Sequence, residues 1–175
     1  MLDIALIREK PEWVKEQLAK LNDEAAIARI DKIVELDEKR RDIRTRTEGA
    51  QASRNKLNKA MGKLRGNKQM DEAEKATRAQ QATAALVADD YDQASQLMDG
   101  SLVVEPLTEC DVKAAFDGLI AELKNMGTKI DAGFDEAKEI EAELTENMYW
   151  VPNLPHESVP VFASEEHNIA HEPVG

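Results

Sequence analysis

The sequence predicts an all-α protein: one long antiparallel two-helix coiled-coil hairpin, with a short N-terminal helix at its base and a helical insert at its tip. Three observations predict it. Apolar residues recur at seven-residue spacing in two separate runs, each sustained over about five heptads. Charged residues make up 33% and aromatics 4% of the 175 residues, too little for a wide core but enough for narrow helical seams. Between the two runs lies an Ala-rich, helix-prone segment.

Residues 1–24 make the base. "REKPEWVKEQLAKLND" reads as one short helix with Pro11 at its first position, where a missing N–H costs no hydrogen bond. Trp13, Val14, Leu18 and Leu21 share a face, and Asn22-Asp23 make the turn. Residues 25–65 are the first arm helix. One seam position carries Leu36, Ile43, Ala50, Leu57 and Leu64; the other carries Ile33, Arg40, Thr47, Arg54 and Met61. Gly66-Asn67 stops the run. Residues 113–150 are the returning helix. Its seams carry Phe116, Leu123, Ile130, Ala137, Leu144 and Val151, and Leu119, Met126, Gly133, Ile140 and Asn147. Each helix of ~40 residues would be ~60 Å long. The matched lengths favour one chain folding back on itself over two coiled coils made with partner chains.

The insert, residues 66–112, is expected to break at Asp89-Asp90 and to end near Gly100, with "SLVVEPL" extended. Thr108, three residues before Asp111, resembles a capping box opening the returning helix. Residues 151–175 begin "VPNLPHESVPV", where Pro152, Pro155 and Pro160 stop the helix and stiffen the chain. Trp13, Tyr149 and Trp150 are expected to anchor the base of the hairpin.

Lone Cys110 cannot form an intrachain disulfide, which fits a reducing compartment, and no partner that would activate its thiol stands nearby. "MLDIALIREKPEW" lacks the basic start and apolar run of a secretory signal. No stretch approaches the ~20 apolar residues of a membrane span. The expected setting is the cytoplasm. His167 and His171 are four apart, but Pro173 argues against a helix there, so a solvated tail is expected rather than a metal site.

The net charge of −12 argues against a nucleic-acid partner, yet its distribution does not. Residues 39–68 hold 11 Lys and Arg against two Asp and Glu, whereas residues 69–112 hold two against ten. A strongly basic helix inside an acidic chain is a better clue than the total. Two explanations stand side by side. The cations could bind phosphate, or they could pair with the returning helix, which holds four bases and nine acids in residues 113–149. Arg40 and Arg54 lie on seam positions, where an apolar stem packs and the head reaches outward.

Three stretches carry a family resemblance: "MLDIALIREKPEWVKEQL", "LDEKRRDIRTRTEGAQASRNKLNKAMGKL" and "VPNLPHESVPV". In order and spacing they resemble the N-terminal domain of seryl-tRNA synthetase, over roughly residues 1–65 and 113–169. "RNKLNKAMGKL" and "PNLPHESVPV" are the specific parts. The resemblance implies an arm that positions tRNA(Ser) by its long variable arm and elbow. Its cations would be Arg41, Arg44, Arg46, Arg54, Lys56, Lys59, Lys63 and Arg65, with Arg40 beside them. RNA helices are recognised through phosphate, 2′-OH and shape, which suits cations on a rigid strut.

The resemblance also implies that the Pro-rich stretch, with His156 structural within it, leads towards a class II catalytic domain. None of that domain's motifs occurs in these 175 residues, so this chain alone is expected to catalyse nothing and to hold no cofactor. ATP and Mg would belong to the catalytic domain. The chain then reads as a fragment or a free-standing copy of the arm. The insert departs from the family, whose members turn soon after "GKL". It could be an extension packed on the hairpin, an acidic tip for a protein partner at residues 69–112, or a grafted segment on an engineered hairpin. No membrane or DNA partner is expected. The alternatives to RNA binding are a protein-interaction module with an acidic tip and a purely structural coiled coil.

Overall fold

Aspartate opens five of the six helices among the described residues. The computed structural model describes residues 2–106 and 111–155. Its helices are α1 (Ile4–Glu9), α2 (Pro11–Ala19), α3 (Glu24–Gly66), α4 (Glu72–Val87), α5 (Tyr91–Asp99) and α6 (Val112–Tyr149). Asp3, Asp23, Asp71, Asp90 and Asp111 each accept a hydrogen bond from a first-turn amide, at 2.7–3.1 Å. A carboxylate there satisfies an orphan N–H and meets the positive end of the helix dipole. No strand occurs among the described residues. None of the helices is long and apolar enough to cross a membrane.

The chain divides into two compact units, Met1–Arg41 with Lys138–Gly175, and Asp42–Ala137. In the first, α1 and α2 join stretches of α3 and α6 around Ile7, Val14, Leu18, Ile30, Ile33, Leu36, Leu144 and Met148, all nearly inaccessible to solvent. Ion pairs Lys32–Glu143 (2.9 Å) and Arg40–Glu141 (3.1 Å) tie α3 to α6.

The expectation of a single N-terminal helix is corrected here. Two are present, because the residue before a proline is disfavoured in the helical region and Lys10 adopts φ −139°, ψ 55°. The predicted apolar face also narrows. Val14 and Leu18, four apart, are fully buried, while Trp13 is 44% and Leu21 41% exposed. Nor do the C-terminal aromatics anchor the unit. Met148 and Val151 take the inward positions, leaving Tyr149 79% and Trp150 65% exposed. The Arg29 guanidinium lies over Trp150, 5.8 Å from the ring centre. After α6 ends, Val151 is buried and Leu154 packs on the same core.

In the second unit α3 and α6 run antiparallel. Thr47 faces Gly133, and Arg54, further along α3, reaches Leu123 and Gly127, earlier along α6. The two helices therefore pair within one chain, as their matched lengths favour. Leu57 and Leu64 are buried in one core with Phe116, Leu119, Leu123 and Ile130, and Ile43 is buried as well.

The insert supplies α4 and α5. Ala79, Ala82, Ala85, Leu86, Ala94, Leu97 and Met98 enter the same core, so these helices pack on the α3–α6 pair as an extension of it. The break falls at 88–90, with Asp89 at φ 56°, and α5 ends on Gly100 at φ 88°. The latter is a left-handed cap that glycine adopts without a Cβ penalty. Asp111 caps α6, which starts one residue later. Thr108, Cys110, His156, Pro160, His167 and His171 lie outside the described residues.

Candidate nucleic-acid interface

Helix α3 is amphipathic twice over. Its seam is mainly apolar, and the helix carries 12 of the chain's 23 Lys and Arg residues. Seven of the eight predicted binding residues fall in the second unit: Arg44, Arg46, Arg54, Lys56, Lys59, Lys63 and Arg65. Arg41 falls in the first unit. It is exposed and adds its field to the buried carboxyl of Asp37.

The structure divides the seven by what they touch. Arg54 turns into the seam. Its Nε donates to the Leu123 carbonyl at 3.1 Å, and its guanidinium occupies the space a side chain at position 127 would need. A methyl group on Gly127 would stand 2.7 Å from Arg54 Nη2. Arg54 is thus engaged with α6, as Arg40 is in the first unit through Asp37 and Glu141, both at 3.1 Å.

Arg44 pairs with Glu48 one turn on, at 3.1 Å, with both side chains 57% exposed. Lys56 reaches Asp92 of α5 at 3.0 Å, also in the open. Exposed pairs contribute ~0–1 kcal/mol, so a phosphate can displace either carboxylate at small cost. Arg65 lies over the Phe116 ring at 5.2 Å. Arg46, Lys59 and Lys63 are exposed and make no ion pair or hydrogen bond among the described residues.

The insert touches this surface with its acids. The Asp99 carboxyl is held below its ordinary range, first by the Ser101 hydroxyl and also by the fields of Lys63 and Lys56. Lys56 and Lys63 therefore face anionic neighbours from the insert, whereas Arg46 and Lys59 do not pair with them.

The expected contact residues all lie on α3 and leave out the cations of α6. Lys113, Lys124 and Lys129 are exposed on a helix whose overall charge is negative. One signal was available for Lys129. It precedes the seam residue Ile130, just as Arg46 precedes the seam residue Thr47. Residues in that position flank the seam, so the two helices place Arg46 and Lys129 along one groove.

The model of the seryl-tRNA synthetase N-terminal domain family matches residues 1–101. The serine–tRNA ligase of Exiguobacterium sp. strain AT1b is 27% identical over 175 residues, covering 100% of this chain and 30% of the relative. That of Desulfitobacterium hafniense is 29% identical over 169 residues, covering 97% and 29%. That of Stutzerimonas stutzeri is 30% identical over 169 residues, covering 97% and 28%. The chain spans about 30% of the length of the relatives it matches. With the family model covering more than half of it and its helices paired as described, this chain belongs to the seryl-tRNA synthetase N-terminal domain family.

Proposed function

We propose that this chain is a tRNA-binding arm. It positions tRNA(Ser) by its long variable arm for serylation in a class II catalytic domain that lies outside these 175 residues. That domain would use ATP and Mg; the arm needs neither. The observation that carries the reading is the coincidence of family and surface. The chain belongs to this family, and its second unit carries exposed cations free of buried partners: Arg44, Arg46, Lys59 and Lys63. Phosphate binding by such groups releases counterions and is sequence-independent, so selection of one tRNA would follow from the geometry of the arm. The residues assigned to the contact are Arg41, Arg44, Arg46, Lys56, Lys59, Lys63 and Arg65, with Arg54 acting through the seam.

The test is binding of tRNA(Ser) at two salt concentrations. Affinity is expected to fall steeply with salt, and the paired substitution Arg44→Glu with Lys59→Glu is expected to abolish most of it. Salt-independent binding, or none, overturns the reading. Capture of a protein partner that requires residues 69–112 would then favour an interaction module.

A further inference from the structure

Seam positions along α3 and α6 are filled mainly by Leu, Ile and Met, but two that line one groove are small: Ala50 and Gly133. Gly133 lets Thr47 come close, since a methyl group there would stand 2.5 Å from Thr47 Oγ1. Beside them lies a groove of about 400 Å³ in the second unit, bounded by α3, α6 and the first residue of α5. That volume falls within the ~300–1,000 Å³ typical of small-ligand pockets.

Three features define what the groove accepts. Tyr91 lines it from α5; the ring packs partly into the core, and its hydroxyl donates to Asp89 Oδ1 at 2.9 Å, which fixes its orientation. Arg46 and Lys129 line it as exposed cations with no ion pair or hydrogen bond among the described residues. Glu136 lines it too. An aromatic ring and an apolar floor of Ala50, Met126 and Ile130 suit a flat base, and unpaired cations suit the phosphate attached to it. Glu136 repels phosphate but accepts from an exocyclic amine, so a base bearing one fits better than uracil. A base inside a duplex is hidden by its stack and cannot reach such a groove; a splayed one can.

We propose that this groove captures a single unpaired, amine-bearing nucleotide of the RNA, its base against Tyr91 and its phosphate between Arg46 and Lys129. The proposal rests on the RNA-binding reading above and adds a base-contacting subsite to it.

The experiment titrates the chain with a hairpin RNA carrying one bulged adenosine and with its bulge-free parent, at one fixed salt, by fluorescence anisotropy. Wild type is expected to bind the bulged RNA at least about fivefold tighter. Ala50→Leu, which fills the groove with a residue suited to the seam, and Tyr91→Leu are each expected to erase that preference. Affinity for the parent and helical circular dichroism should stay unchanged. Equal affinity of wild type for the two RNAs overturns the groove while leaving the arm reading intact. A preference that survives in both variants also overturns it, since the bulge is then read elsewhere. Failure to bind either RNA at low salt sinks the groove and the arm reading together.

Discussion

Gly133 and Gly49 both lie inside long helices, yet a methyl group at the two positions has opposite consequences. At Gly49 a Cβ would meet nothing within 4 Å. Gly49→Ala is therefore expected to raise stability by about 0.5–1 kcal/mol, since alanine loses less backbone entropy in a helix. At Gly133 the added Cβ meets Thr47, a stiff β-branched residue that is itself buried. Gly133→Ala is expected to lower stability by about 1–3 kcal/mol despite the better propensity. Urea denaturation of the two variants side by side reads both signs. Asp37 shows how a seam neighbour is decided by its partners. It is 2% exposed and accepts from Arg8 Nε at 2.6 Å and Arg40 Nη2 at 3.1 Å. Burial pushes its carboxyl up, but the Arg8 hydrogen bond and the fields of Arg8, Arg40 and Arg41 together hold it below its ordinary 3.8. A lowered folded value means stability that is full above the unfolded value and lost as pH falls through the folded one. Asp37→Asn is expected to flatten the loss of melting temperature below about pH 4. Asp37→Ala should cost about 1–3 kcal/mol at neutral pH, because Arg40, whose Nε already lacks a partner among the described residues, loses another.

At the scale of elements, the insert is where local reading and packing meet. Its break at Asp89-Asp90 and its stop at Gly100 were legible, because caps and left-handed residues are written in residue types. What holds α5 to α4 was not. Arg78, one of two cations in residues 69–112, is 5% exposed. Its Nη1 donates to the Leu97 and Leu102 carbonyls at 3.0 and 2.8 Å, while Nε and Nη2 grip Glu74 Oε1. One guanidinium thus satisfies the C-terminal end of α5 and the chain beyond it. Arg78→Met keeps much of the packing volume and removes these donors. Hydrogen exchange is expected to speed up across residues 97–102, with a stability loss of about 1.5–3 kcal/mol. Unchanged protection there would show that the apolar contacts of Leu97 and Met98 suffice. The N-terminal region illustrates the reverse case. Pro11 marked a helix start correctly, but α1 upstream of it was missed, since six residues with Ile7 alone buried leave little periodic signal.

For the whole molecule, charge is distributed by segment, and tertiary structure changes what that distribution means. The acidic insert is not merely near the basic helix in sequence; Asp92 contacts Lys56, and Asp99 feels Lys63 and Lys56. Under the RNA-arm reading these acids compete with phosphate. Asp92→Asn with Asp99→Asn is expected to tighten tRNA binding at low salt. The slope of log affinity against log salt should steepen by roughly 1.5, as two lysines become available to phosphate. An unchanged slope would place Lys56 and Lys63 outside the contact. The all-helical class, the two seams and the family were determined by sequence alone, because heptad period, capping residues and "RNKLNKAMGKL" are local features that survive without neighbours. Only tertiary structure decided which cations are free, which aromatics are exposed, and where a groove opens. Those depend on which residue of the opposing helix stands across from each side chain, and a one-residue difference in that pairing moves a guanidinium from solvent to a backbone carbonyl.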